Sequence, residues 1–255
     1  MMKNRVKEKL KNGEKTVGAF VGIYSPEMVE MLGHAGFDFL VIDDEHGAFS
    51  PRDLENMIRA AECVDLVPIV RVAYDPSCIQ KALDRGAKGI QVPMVNNRED
   101  AEKMVQRVKF PPLGQRGANY TTRPARYGKD HGIGFLDAAD DQTLVIVHIE
   151  TPEAVANFEE IVSVPGIDMA FIGPTDLSIS MGYKEEGARH PEVQNVIAQL
   201  RERAQQQNIP LGNIAANPAS VRQELENGTA FVAVVITSVM MSAFFEVVEA
   251  GIRKD

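Results

Sequence analysis

A chain of 255 residues with no Pro-, Ser- or Gly-rich linker suits one large α/β domain or two small ones. With 44% hydrophobic and 25% charged residues it has the composition of a soluble globular protein that can bury a large core without staples. A net charge of −9 argues against a nucleic-acid or anionic-membrane surface, because phosphates call for clustered Lys and Arg, but it leaves room for a small anion in a local basic pocket.

Two cysteines, Cys63 and Cys78, outside any C-x-x-C pattern argue against a disulfide scaffold or a thiolate zinc site. The N-terminal MMKNRVKEKLKNGEK lacks the apolar core of a secretory signal, and no stretch has the length of a membrane span. The cytoplasm is the expected compartment.

Taken in chain order, short apolar β-rich runs recur, each followed by a turn signal and a longer helix-compatible segment. Strands are predicted at 16–21, 39–43, 67–72, 89–92, 144–149, 169–172, 211–215 and 231–236. Several, such as LVIVHI and FVAVVI, are continuously apolar, as in parallel strands buried on both faces. Between them, SPRDLENMIRAAE offers Ser50 as N-cap and Pro51 at the first helical position, and HPEVQNVIAQLRERAQQQ and NPASVRQELENG repeat that device. NNREDAEKMVQRVK is acidic at its start and basic at its end, which complements a helix dipole. Gly33, Gly36, Gly86 and Gly228 stand where helices should stop. Eight strands alternating with helices predict a single-domain (β/α)8 TIM barrel. The rival doubly wound sheet usually carries a glycine fingerprint after its first strand, and GIYSPEMVE is not one. Residues 110–141, rich in Pro, Gly and Arg, are expected to form an extended loop over the C-terminal face.

In barrels the site lies at the C-terminal strand ends. There the second strand gives Asp43, Asp44, Glu45 and His46, the third Arg71, the fourth Pro93 and Met94, the fifth His148, Glu150 and Thr151, and the sixth Asp176. Glu150 and Asp176, on adjacent strands, form a pair of hard oxygen donors suited to Mg²⁺ or Mn²⁺ with open positions. Arg71 can bind a carboxylate or steady an oxyanion, and His46 can move a proton near neutral pH. That set matches enolate chemistry beside a carbonyl. Taken singly, each has a plainer role: a strand-end carboxylate is most often a solvated charge or a cap, Arg71 a structural ion pair, and His46 a surface histidine. His34, His131 and His190 fall at helix ends or in loops, and the cysteines and methionines read as packing residues.

AGFDFLVIDDEHGAFS, VPIVRV, ALDRGAKGIQVPMV, FPPLGQRG, VHIETPEAV, IDMAFIGPTDLSISMGY and HPEV, in that order, make the chain similar to the HpcH/HpaI aldolase family, the metal-dependent class II pyruvate aldolases. The resemblance covers nearly the whole chain and implies a phosphoenolpyruvate/pyruvate-type barrel. It implies reversible cleavage of a 2-keto-4-hydroxy acid, of the 4-hydroxy-2-oxoheptanedioate or 2-keto-3-deoxy sugar acid type, to pyruvate and an aldehyde. It assigns Glu150 and Asp176 as ligands of a divalent cation (Mg²⁺, Mn²⁺ or Co²⁺). His46 becomes the base, acting directly or through water, and Asp84 the carboxylate that orients it. Arg71 stabilises the enolate oxygen, the main chain at Thr175 and Asp176 holds the pyruvate carboxylate, and Asp43 and Glu45 support the site. It also implies a homo-oligomer, a hexamer, with a C-terminal helix exchanged between neighbours.

Three departures from the family pattern stand out. His148 replaces a glutamine that touches substrate, Thr175 an Ala or Ser, and VVITSVMM puts Val235 and Thr237 where a Gly and an Asp are usual. Two alternatives stay open: a citrate-lyase-like enzyme acting on a CoA thioester, for which no basic CoA tract is visible, and a non-catalytic barrel that binds a metal–keto-acid complex.

Overall fold

The computed structural model describes residues 3–73, 75 and 77–252. In chain order the elements are α1 (Arg5–Lys11), β1 (Thr16–Val21), α2 (Pro26–His34), β2 (Phe39–Asp43), α3 (Pro51–Cys63), β3 (Val67–Arg71), α4 (Ser77–Arg85), β4 (Gly89–Val92), α5 (Arg98–Val108), α6 (Gly132–Gln142) and β5 (Leu144–Ile149). There follow α7 (Pro152–Ala156), α8 (Phe158–Val162), β6 (Met169–Ile172), α9 (Pro174–Ser180), α10 (Pro191–Gln206), β7 (Leu211–Ala215), α11 (Pro218–Glu226), β8 (Phe231–Val235) and α12 (Ile236–Ile252). All neighbouring strands are parallel, and β8 pairs back onto β1, so the sheet closes into the expected (β/α)8 TIM barrel. Two strands end one residue earlier than predicted: β3 stops at Arg71, and β8 at Val235, where α12 begins.

Alternation along each strand divides the core in two. Phe20, Phe39, Val41, Ile69, Ile146 and Phe171, with their neighbours, fill the barrel. Leu40, Ile42, Val70, Val145 and Val147 face the helical ring. Two glycines make the filling possible. A Cβ on Gly18 would lie 2.2 Å from Cδ2 of Phe39, and one on Gly212 would lie 2.5 Å from Cδ2 of Phe171. Phe39 then stacks on Phe231 with ring centroids 3.7 Å apart, tying β2 to the last strand.

The helix starts follow the sequence signals. Ser50 and Asp53 form a reciprocal capping box, and Ser25, Asn97 and Asn217 cap α2, α5 and α11. Gly36, Gly86 and Gly228 follow their helices with positive φ, as stop glycines do. Gly33 does not. It lies inside α2, where a Cβ would come within 2.3 Å of Cγ2 of Val64, so its role is close helix contact.

The structure also corrects the placement of residues 110–141. Because α5 follows β4 directly, this segment joins a helix to β5 and belongs on the N-terminal side of the barrel. Its Arg123 pairs there with Glu62 in the last turn of α3.

Gly18→Ala is expected to cost about 1–3 kcal/mol through forced displacement of Phe39, read as a lower urea midpoint with an unchanged slope.

Candidate active site

At the end of β2 the period-two alternation turns Asp43 inward, where its register partner on β3 is Arg71. Arg71 donates from Nε to Asp43 Oδ1 at 2.9 Å and from Nη2 to Oδ2 at 2.7 Å, a two-pronged contact that fits guanidinium to carboxylate. Its Nη1 lies 3.1 Å from Oε2 of Glu45, and the guanidinium covers the ring of Phe20 at 4.8 Å. The three charged side chains are almost wholly buried, and taking Asp43, the two-pronged partner, from Arg71 would cost about 3–5 kcal/mol, as for a buried pair broken on one side. Burial pushes the Glu45 carboxyl above its ordinary range, against the opposing pull of Arg71 and His46. Burial, together with the neighbouring Asp43 charge, also raises Asp44, while Arg85 opposes the shift.

His46 sits at the rim with its side chain 68% exposed and Nε2 3.9 Å from Glu45 Oε2. Its backbone N–H donates to Asp43 Oδ1 at 3.3 Å.

The second half of the site comes from the ends of β4 and β5. Glu150 is buried and accepts the backbone N–H of Met94 at 2.6 Å, while its Oε2 lies 2.9 Å from Nδ1 of His148. Burial drives the Glu150 carboxyl up, but the contacts with His148 and the Met94 N–H outweigh it, and the group rests below its ordinary range. It is therefore an ionised carboxylate held in place. Met94 takes a left-handed conformation, φ 55°, to aim its N–H, a strained state for a residue with a side chain. The sequence gives no sign of it. His148 stacks on Phe171, ring centroids 5.1 Å apart.

Gly173, at the end of β6, lets the next turn pass close by: a Cβ there would lie 2.5 Å from Glu150 Oε2. That turn opens α9, and Thr175 and Asp176 stand exposed in its first turn.

One expected partnership does not form within the chain. Asp84 lies in the last turn of α4, a helix that runs from the C-terminal toward the N-terminal face, and it pairs with Arg116 at 2.9 Å. Among the described residues no hydrogen bond or ion pair joins it to His46; the carboxylate beside that ring is Glu45.

Among the described residues no three His, Cys, Asp or Glu side chains converge as a metal cage. The donor chemistry on offer is a fixed, ionised Glu150 and the exposed carboxylate of Asp176 beyond the Gly173 turn. Two hard oxygens suit a cation that keeps water and substrate oxygens in its shell, and exclude a closed, all-protein site.

The model of the HpcH/HpaI aldolase/citrate lyase family matches residues 16–243. The chain belongs to this family. It is a carbon–carbon lyase of the aldolase type, and its curated relatives are full-length matches. A 2-dehydro-3,6-dideoxy-6-sulfogluconate aldolase of Pseudomonas putida is 40% identical over 233 residues, covering 91% of this chain and 90% of the relative. A 4-hydroxy-2-oxo-heptane-1,7-dioate aldolase of Escherichia coli is 36% identical over 251 residues, covering 98% and 95%. The crystal structure of an HpcH/HpaI aldolase/citrate lyase family protein from Burkholderia cenocepacia superposes with a TM-score of 0.91 at 32% identity, covering 97% and 98%. In this family member, among the described residues, no helix is long and apolar enough to cross a membrane.

Glu45 also makes a pH prediction for the aldolase. A carboxyl whose folded pKa is raised costs stability above its unfolded pKa, and the cost fades as pH falls through the folded value. Glu45→Gln in metal-free protein should therefore gain stability at neutral pH and lose that gain in acid, as read by urea unfolding at both.

Proposed function

We propose that the protein is a divalent-metal-dependent class II aldolase that reversibly cleaves a 2-keto-4-hydroxy acid to pyruvate and an aldehyde. One observation carries the reading: a buried, ionised Glu150 shares the barrel mouth with an arginine clamped by two carboxylates and a rim histidine. Glu150 and Asp176 would hold Mg²⁺, Mn²⁺ or Co²⁺. The chemistry such an ion supplies when bound is polarisation of the substrate's keto group.

The chain's own residues do the rest. The main chain at Thr175 and Asp176, in the first turn of α9, offers N–H groups without intrahelical partners to the keto-acid carboxylate. Arg71 spends Nε and one Nη2 N–H on Asp43 and sets Nη1 against Glu45, which leaves the second Nη2 N–H to face the enolate oxygen. Asp43 and Glu45 fix that orientation. In the cleavage direction His46 takes the proton of the 4-hydroxyl, the C3–C4 bond breaks toward the enolate, and a proton returned at C3 gives pyruvate. Asp84 is left out of this scheme within one chain.

The relatives act on a sulfogluconate derivative and on a heptanedioate, so a keto-acid panel begins with those two types. His148, Val235 and Thr237 set this pocket apart from the family pattern and bear on which aldehyde fits. The free cysteines Cys63 and Cys78 suit the reducing cytoplasm.

The test is pyruvate release from 4-hydroxy-2-keto acids with Mg²⁺, Mn²⁺ or Co²⁺ and with chelator. Glu150→Ala and Asp176→Ala should each lower kcat/KM about a hundredfold or more, as expected for several kcal/mol of lost charge stabilisation, with the barrel still folded by circular dichroism. Full turnover after metal stripping would sink the mechanism. Metal binding with no turnover on a broad panel would favour a binding-only barrel, and turnover on CoA thioesters alone a citrate-lyase-like enzyme.

The oligomer belongs to the same reading. From Met241 to Ile252 every residue of α12 is exposed, with Phe244 and Phe245 at 54% and 60% and Val247 at 72%. An apolar helix so bare calls for cover, and exchange between subunits of a hexamer supplies it. Light scattering on the eluting protein should give a mass several times 28.0 kDa. A monomer would overturn the assignment.

A further inference from the structure

Beneath the two charged clusters, the barrel interior holds three side-chain atoms whose hydrogen bonding is unmet. Gln91 is 0% exposed, and neither its Oε1 nor its Nε2 has a partner among the described residues. The same holds for Nε2 of His148, which is 2% exposed. Each such atom costs about 1–3 kcal/mol if left bare, and native interiors seldom leave them so.

The three lie together by topology. β4 and β5 are neighbours, with Gln91 in register with Ile146, two residues before His148. Both side chains face inward. Gly89, on the same side of β4 as Gln91, would with a Cβ meet Ile69 and Leu144 of the inner cluster, and His148 stacks on the inner Phe171. Across the other edge of β4, Gln91 is the register partner of Arg71.

Their chemistry is complementary. Nδ1 of His148 faces Glu150, which leaves Nε2 as the other hydrogen-bonding edge of the ring. The Gln91 amide both donates and accepts, yet makes no direct bond to the ring. A species that can both donate and accept satisfies the amide and the ring, and water does this with the two to four polar partners that a buried water requires.

We propose that ordered internal water bridges the Gln91 amide to His148 Nε2, and that Gln91 is thereby a positioning residue for Glu150. The water and the Gln91 amide lock one edge of the imidazole, and Glu150 lies against the other. The ring can then turn only by breaking both contacts, and the Glu150 carboxylate keeps one orientation. The link from Glu150 to catalysis rests on the proposed function above; the water bridge does not.

The first test uses the unaltered full-length protein, free of metal and labelled with ¹⁵N-histidine. The His148 signal is identified by its absence from His148→Gln. Its Nε2 shift should be that of a ring nitrogen in a hydrogen bond. In Gln91→Leu Nε2 should move several ppm toward the value of a nitrogen without a partner, and Gln91→Asn should restore part of the shift. A crystal structure should show ordered water within hydrogen-bond distance of both side chains. Mn²⁺ affinity should fall about tenfold in Gln91→Leu, at the low end of the range for groups that support a ligand from behind. An Nε2 signal that does not respond to Gln91→Leu, or a dry crystallographic contact between the two side chains, overturns the proposal. If Nε2 moves while Mn²⁺ affinity stays unchanged, the bridge holds and the assignment of Glu150 as a metal ligand fails.

Discussion

Closure of the sheet forces every second side chain of eight strands into one narrow interior, and most of what matters in this molecule follows from that constraint. Low in the barrel it is met with aromatics and branched aliphatics, and with glycines at 18 and 212 where two rings need the same space. Toward the mouth the same alternation brings Asp43, Arg71 and Gln91 inward on consecutive strands and His148 on the next. Polar groups in so confined a space have little access to bulk water, and their partners must come from the protein or from trapped water. Arg71 is accordingly gripped by two carboxylates, and Glu150 by an imidazole and a backbone amide.

These contacts divide the labour of the mouth. The Asp43–Arg71–Glu45 cluster balances one buried positive charge with two negative ones, and His46 stands next to the excess negative charge with most of its ring in solvent. Glu150 is held on two sides, by the His148 ring and the Met94 amide. The mouth thus keeps its carboxylates and a guanidinium in fixed orientations.

The barrel was legible because buried parallel strands are written as apolar runs and their helices open with Ser, Asn and Pro; every strand was located from those two signals. Where the sequence misled, the reason was spatial. Residues 110–141 look like an active-site loop until one notes that NNREDAEKMVQRVK already supplies the helix after β4. Gly33 reads as a stop, but it is a contact with Val64. Asp84 follows the family pattern, yet its place in the last turn of α4 points it to Arg116. His46, Arg71 and Glu150 were singled out from their strand-end positions, and the fold brings them to the same end of the barrel. Met94 was seen at a strand end, but a left-handed φ at a methionine has no sequence signature. Gln91 did leave a trace: an amide in the middle of GIQV, on the inward side set by Gly89, is a polar group with nowhere to go.

The bond between β1 and β8 also shapes how the chain is made. β1 leaves the ribosome long before its partner β8. Until β8 emerges β1 therefore offers an open edge, and Phe39 waits for the ring of Phe231. An unpaired edge and an unstacked aromatic are what nascent chains aggregate through. The charged α1, packed at the start of the chain with Lys7 paired to Asp168 and Lys9 to Asp38, lies immediately before that edge. Charge placed beside an exposed strand deters wrong pairing, and the same lysines brace the finished barrel.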